Sequence, residues 1–251
     1  MRGDGVIDGL YLKRRHGELA SEAALQCIAG FGIVDDVHAN RLSPRQVLLT
    51  LTSELAQLGI APGALQENIV IGCGRPELFR PGSALLSASG VEIALTMFCE
   101  PCKRIAHLAP KLGRLIHRRG VLGRVVTGGE LRAGEPFELI PGRYEALPES
   151  PYQKFLDVVA AIPAGRVLRY ADVAIAMGVA DSFVRALPGY IRRSVGRELP
   201  LHRIVNARGS LPDLVPAQAT LLQTEGITVE DNTISLASCL WLLGVSADIR
   251  T

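Results

Sequence analysis

Two groups of residues could do chemistry. The first is Cys99-Glu100-Pro101-Cys102, followed between Lys103 and Arg124 by seven basic residues (103, 104, 111, 114, 118, 119, 124) and no acid. Positive charge folded near Cys102 would lower its pKa and favour the thiolate, the form needed for sulfur relay or for ligating a soft metal. The same cations suit an anionic ligand such as a phosphate. Rival readings of the two cysteines are half a zinc site, a redox pair and two ordinary semi-buried thiols. Zinc wants a second pair or suitably spaced histidines, and the redox motif a neighbouring βαβ unit, and the sequence displays neither.

The second group lies between Arg166 and Arg208: eight arginines (166, 169, 185, 192, 193, 197, 203, 208), no lysine, and three acids (Asp172, Asp181, Glu198), a local balance of +5. Arginine's planar fork suits phosphates and base edges, although a charge run alone is equally a solvated face. Glycine pairs such as Gly128-Gly129 read as β-turns, and no phosphate loop or dinucleotide fingerprint is present.

Elements must position these groups, and a boundary separates them. Ile140–Arg143 and Leu147–Pro151 hold three prolines and a glycine, which interrupt helix and strand alike. Before this break, β-branched runs alternate with glycine turns: Val47–Leu51, Asn68–Gly72, Leu85–Ser87, Glu92–Met97, Gly120–Thr127 and Pro136–Ile140. They predict a β-barrel-like domain over residues 1–145 with a few helices, among them Ser53–Leu58 and the segment after Cys102. After it, Tyr152–Ala161 carries Phe155, Leu156 and Val159 at helical spacing, and Tyr170–Met177 ends at Gly178. A third helix capped by Asp181 or Ser182 would run through Arg185. Hairpins are expected at Asn206–Gly209 and Glu230–Asn232. Helix, turn and arginine-bearing helix outline a mainly helical, winged-helix (helix-turn-helix) domain over residues 146–251, making the chain multidomain α+β.

The order Ile162–Ala174, Val184–Leu187, Leu199–Asn206 and Leu221–Gly226 resembles the DNA-binding domain of O6-alkylguanine-DNA alkyltransferases over Pro151–Trp241. Where that family has Pro-Cys-His-Arg, this chain has Pro200-Leu201-His202-Arg203. Leucine has no lone pair with which to form a thioether, so alkyl transfer is not expected, although His202 and Glu225 match the family's base and its orienting carboxylate. Cys239 lies outside the motif. The pattern is similar to the alkyltransferase-like proteins, which lack the cysteine, bind alkylated guanine and pass the lesion to nucleotide excision repair. That resemblance implies a lesion pocket at Leu201, His202 and Glu225. It makes Tyr170 the residue that rotates the nucleotide out and Arg185 the finger that fills its place, with Arg203 and Arg208 on the DNA. Four departures stand out: Leu201 itself, Pro188 in the presumed recognition helix, the bulk of Val184, and a Ser210–Ala219 segment that is short and lacks a Ser-Gly-Gly loop.

In the first domain, Val37–Asn40, Pro44–Leu49, Pro62–Gly72, Cys99–Cys102, Arg119–Val125 and Gly128–Glu130 resemble the MOSC domain, named for the C-terminal part of molybdenum cofactor sulfurase, over Val6–Ile140. Its start is atypical, Val34-Asp35-Asp36-Val37-His38 standing for the usual Gly-Asp-x-His. By that resemblance Cys102 carries sulfur or contacts molybdenum cofactor (molybdopterin), with His38, Arg45, Asn68, Arg119 and Arg124 as cofactor-binding candidates and no metal ligand otherwise indicated.

The 251 residues carry 27 basic and 25 acidic side chains and 48% hydrophobic residues, which excludes wholesale disorder. Five cysteines without framework spacing predict a reduced, cytoplasmic protein; no apolar run reaches membrane-spanning length, and MRGDGVIDG does not look like a secretory signal. The leading expectation is recognition of alkylated duplex DNA by base flipping without chemistry, coupled to a MOSC domain. The alternative is a sulfur carrier or molybdenum-cofactor enzyme acting through Cys102, with the helical domain as a docking module.

Overall fold

A computed structural model describes residues 4–108 and 112–241, with backbone alone at 103, 104 and 112. The chain forms two compact units, the first ending at Leu147 and the second beginning at Pro148. The first contains β1 (Gly5–Arg15), β2 (Glu18–Glu22), β3 (Ala24–Ile28), β4 (Gly32–Ile33), β5 (Val47–Leu51), α1 (Thr52–Leu58), β6 (Ile69–Cys73), β7 (Ala84–Ser87), β8 (Glu92–Phe98), β9 (Val121–Thr127), β10 (Gly129–Arg132) and β11 (Pro136–Ile140). Seven of these close into a barrel in the order β1-β11-β7-β8-β9-β5-β6 and back to β1. The β5–β6 pair is parallel and the other six pairings are antiparallel. Closure leaves no unpaired edge within the ring.

Strand periodicity explains why the runs are so apolar. Val47, Leu49 and Leu51 point inward with Ile69, Ile71, Ile93, Leu95, Val121 and Val125. Their alternates are buried as well. Leu48 packs outward with Met97, Cys99 and Leu122, and Val70 packs with Leu55, Leu65, Ile105 and Leu115. The segment expected as a helix after Cys102 forms two 3-10 turns, Lys103–Leu108 and Leu112–Leu115, pinned to the outer face by Ile105 and Leu115. Gly120 makes the crossing to β9 possible: its φ is +112°, and a Cβ there would stand 2.2 Å from the Leu49 carbonyl.

The second unit holds α2 (Pro151–Ala161), β12 (Leu168–Arg169), α3 (Tyr170–Ala176), α4 (Leu187–Ser194), β13 (Ile204–Val205), α5 (Gln218–Thr224), β14 (Val229–Glu230), β15 (Thr233–Ile234) and α6 (Leu236–Cys239). Ser150 caps α2 and Pro151 occupies its first turn. Asp172 accepts the N–H of Arg169 and so caps α3. The helix expected from Asp181 through Arg185 is instead a 3-10 turn, Asp181–Ala186, after which α4 begins at Leu187. Pro188 therefore sits in a first turn, where a missing N–H costs nothing, and does not break a recognition helix. The hairpin expected at Asn206–Gly209 is also corrected. The turn forms, but β13 pairs in parallel with β12, and Ser210 bridges to Thr233. The second hairpin forms between β14 and β15, turning through Asp231 and Asn232, whose φ values are 46° and 57°. Val167, Val205, Leu211, Leu222, Ile227 and Ile234 make the core behind this ribbon. Among the described residues no helix is long and apolar enough to cross a membrane.

Candidate functional site

In the helical unit the 3-10 turn Leu201–Arg203 and the end of α5 bring the expected pocket residues together. His202 Nε2 lies 2.8 Å from Glu225 Oε1. The Gly165 N–H donates to Glu225 Oε2 at 3.0 Å, and Arg203 donates to the same carboxylate through Nε (2.9 and 3.1 Å) and Nη2 (2.6 Å). Burial alone would raise the Glu225 pKa, but Arg203, His202 and the Gly165 N–H outweigh it and hold it down at about 2. The carboxylate is ionised and saturated with donors. Leu201, at the position of an acceptor cysteine, is 3% exposed. Cys239 cannot replace that cysteine: its buried thiol bonds to the Ser235 carbonyl and its pKa is raised, mainly by desolvation.

The arginines separate into two kinds. Arg203, expected on DNA, donates its remaining Nη1 to the Ile162 carbonyl and is committed internally. Arg169 pairs with Asp172, and Arg166 donates to the Ser238 carbonyl. Arg193 and Arg197 lie over the Tyr152 ring at 3.9 and 5.8 Å. By contrast Arg185 is exposed, just before α4, and among the described residues no ion pair or hydrogen bond ties its side chain. Arg208 is exposed on the Asn206 turn, its backbone N–H taken by the Asn206 side chain. Val184 is only half-buried, so its bulk remains at the surface beside Arg185. Tyr170 opens α3; its hydroxyl is buried without a hydrogen-bond partner, and burial raises its pKa against the opposing charge of Arg192.

In the barrel unit the organising residue is Asp36, which the sequence did not single out. It accepts from Asn68 Nδ2 at 2.7 Å, from the Lys13 N–H at 3.1 Å and from the His38 N–H at 2.9 Å, and its Oδ1 lies 3.1 Å from His38 Nδ1. Desolvation pushes its pKa up, yet the His38 contacts and Lys13 bring it below the ordinary value. Asn68 Oδ1 accepts from Leu48 N–H, which ties this cluster to the outer face of β5. Lys13, also missed, is 5% exposed, donates Nζ to the Gln66 carbonyl at 2.7 Å, and has its pKa lowered chiefly by desolvation. The signal for Lys13 was a lysine alternating with apolar residues in a strand; for Asp36 it was the atypical Asp-Asp preceding His38.

Beside this cluster Arg119 donates through Nη1 to Cys102 Sγ at 3.4 Å and to the Glu100 carbonyl, while its Nε is buried without a partner. Burial raises the Cys99 thiol pKa, against the charges of Arg119, Arg45 and Lys13, so Cys99 is the inert member of the pair. The structure thus gathers His38 and Asn68 on Asp36, and Arg119 on Cys102, with Arg45 near Cys99. Arg124 is the exception: burial lowers its pKa, and it lies near Tyr144, in a patch where Glu92 holds Arg143 and Tyr144. The strand register carries it away from Cys102, because it pairs with Ala94 while Val121 pairs with Phe98. Lys103, Arg104 and Lys111 lie outside the described side chains. Among the described residues no three His, Cys, Asp or Glu side chains converge as a metal site.

Residues 150–227 match the family of the 6-O-methylguanine DNA methyltransferase DNA-binding domain. The chain is 39% identical over 82 residues to the DNA base-flipping protein of Escherichia coli K12, an alignment covering 31% of this chain. It spans 62% of that relative's length. Similar solved structures include the YuaD protein of Bacillus subtilis (20% identity, TM-score 0.47, 54% of this chain and 94% of that one). Another is S. pombe Atl1 in complex with damaged DNA containing O6-carboxymethylguanine (24% identity, TM-score 0.34, 36% and 94%).

Proposed function

We propose that the helical unit recognises alkylated guanine in duplex DNA by flipping it out, without transferring the alkyl group. The observation that carries this reading is a complete His202–Glu225–Arg203 lock beside a buried leucine. The parts that would shape the pocket and orient a base are bonded within 3.1 Å, but the group that would accept an alkyl carbon is absent. The match of residues 150–227 and the likeness to a base-flipping protein support it. Tyr170, with its unsatisfied hydroxyl, would turn the nucleotide, and the untethered Arg185 would fill the gap in the stack. Flipping costs a few kcal/mol, least at a damaged pair, so selectivity needs no reaction. Arg208 would contact phosphate, and nucleotide excision repair proteins would take over the marked lesion. Fluorescence anisotropy with a short duplex holding O6-methylguanine, against the same duplex with guanine, tests this at two salt concentrations. Preference for the lesion with a negative salt slope is expected; equal binding would demote the unit to a docking module.

A second reading concerns the barrel, where Arg119 touches the Cys102 thiol and leaves a buried Nε free. A thiol beside a guanidinium, with Lys13 and Arg45 near its neighbour Cys99, fits molybdenum cofactor: the cations suit the pterin phosphate, and Cys102 offers sulfur to the metal or carries it as persulfide. His38, oriented by Asp36, would line the same face, whereas Asn68 is buried with its amide spent on Asp36, the Tyr11 carbonyl and the Leu48 N–H and holds Asp36 in place. When bound, the cofactor would supply two-electron redox chemistry, while these residues bind and orient it. Metal analysis and intact-mass measurement of the purified protein test the reading; absence of both molybdenum and persulfide on Cys102 would leave the barrel a scaffold.

A further inference from the structure

Gln218 opens α5 and is 5% exposed. Its Nε2 donates to two backbone carbonyls, those of His202 and Ile204, each at 2.9 Å. These carbonyls belong to the turn carrying Leu201 and to the strand that follows it. Because a carbonyl can only accept, the amide is fixed with its NH2 toward that turn, and rotation about its last torsion would leave two carbonyls facing an oxygen. Oε1 is therefore held as an acceptor, and it is buried with no partner. Buried acceptors are rarely left unmade, since each costs about 1–3 kcal/mol, and here the paired half prevents relief by reorientation. Besides Tyr170 Oη it is the unsatisfied buried side-chain atom found among the described residues of this unit.

We infer that Gln218 Oε1 reads the exocyclic 2-amino group of the flipped base. The inference rests on the reading of this unit as a lesion binder. It follows from which donors the base retains. Alkylation at O6 fixes guanine in the form without an N1 hydrogen, so the 2-amine becomes the remaining N–H donor on its Watson–Crick edge. An oxygen that can only accept, anchored to the backbone on either side of Arg203, selects for that amine and rejects bases that lack it. Leu201 and Oε1 are both buried, and an amine reaching Oε1 would replace no internal bond of that oxygen.

The test compares duplexes containing O6-methylguanine, O6-methylhypoxanthine (the same lesion without the 2-amine) and guanine, with the full chain and with Gln218→Met, whose fold is checked by circular dichroism. The expected result is that wild type prefers O6-methylguanine over guanine and loses roughly tenfold in affinity on removal of the amine, whereas Gln218→Met binds both lesions equally. If wild type prefers the lesion but ignores the amine, or the variant keeps the same discrimination, the assignment of Gln218 is overturned and lesion recognition stands. If wild type shows no preference over guanine, both fall. Where Gln218→Met does not fold, Gln218→Lys, which keeps donors for the two carbonyls but offers no acceptor, takes its place, and retained discrimination in that variant overturns the assignment.

Discussion

The two units solve opposite electrostatic problems. Around Glu225, one carboxylate holds an arginine, a histidine and a backbone N–H in a single bonded cluster. Around Cys102 and Cys99, Arg119, Arg45 and Lys13 gather, with Asp36 and Glu67 facing Lys13 and Asp36 tied to Asn68, His38 and a backbone N–H. Internal saturation builds a rigid wall with nothing reactive on it; cations gathered about a thiol favour its ionised form. A region that is self-satisfied recognises by shape and by its few unmade bonds, whereas one that sets cations beside a thiol can act through that thiol.

The largest expected effect comes from breaking the saturated side. Glu225→Ala leaves the Arg203 guanidinium buried beside His202 without its acceptor, and should destabilise the helical unit by about 3–5 kcal/mol. Denaturation followed by the fluorescence of Trp241, the single tryptophan of the chain, reads it. The same carboxylate sets a pH window. Its pKa lies at about 2, below the ordinary 4.5, so its contribution is complete above 4.5 and is lost as pH falls toward 2. A helical unit equally stable at pH 5 and pH 2.5 would contradict that arrangement.

Next in size is Arg185→Ala, which should weaken lesion-duplex binding by about 1–3 kcal/mol, roughly ten- to hundredfold, with no change in melting temperature. Arg203→Ala should lower both together, because its donors hold Glu225 and the Ile162 carbonyl. Two arginines close in sequence and identical in type would then fail for different reasons.

That contrast marks what was legible in the residues. Strand runs such as Val47–Leu51 and the helix Tyr152–Ala161 were readable because periodic burial is a local property. Leu201 could be read at once, since a missing lone pair needs no geometry. What a donor bonds to is not local. Arg203 looked like a DNA contact until its partners at Ile162 and Glu225 were known. Asp36 and Lys13 escaped notice because their partners lie up to 53 residues away. The turn ahead of α4 was hidden too: Pro188 reads as a helix breaker until the helix is seen to start one residue before it.

A gain of chemistry would sharpen the comparison further. Leu201→Cys puts a thiol at the buried position beside the His202–Glu225 pair, and incubation with O6-methylguanine DNA should add one methyl group to the protein, read by intact mass. Transfer is expected to be slow, because desolvation there raises a thiol's pKa and His202 alone offsets it. His202→Ala in that background should abolish it; transfer that persists would mean the pair plays no part.

The smallest effect concerns the thiol side. Arg119→Met removes the guanidinium 3.4 Å from Cys102 Sγ and should slow alkylation of that thiol by iodoacetamide severalfold at neutral pH, since a nearby cation favours the thiolate. Peptide mapping separates Cys102 from Cys27, Cys99 and Cys239, which are buried. Lesion binding should be unchanged in Arg119→Met and in Cys102→Ser, because none of the hydrogen bonds that build the Glu225 lock involves the barrel unit. An unaltered labelling rate would mean that Arg119 serves the Glu100 carbonyl alone. The cations would then be an anion-holding frame that leaves the thiol as it is, and the chemistry of the barrel would have to come from what it binds.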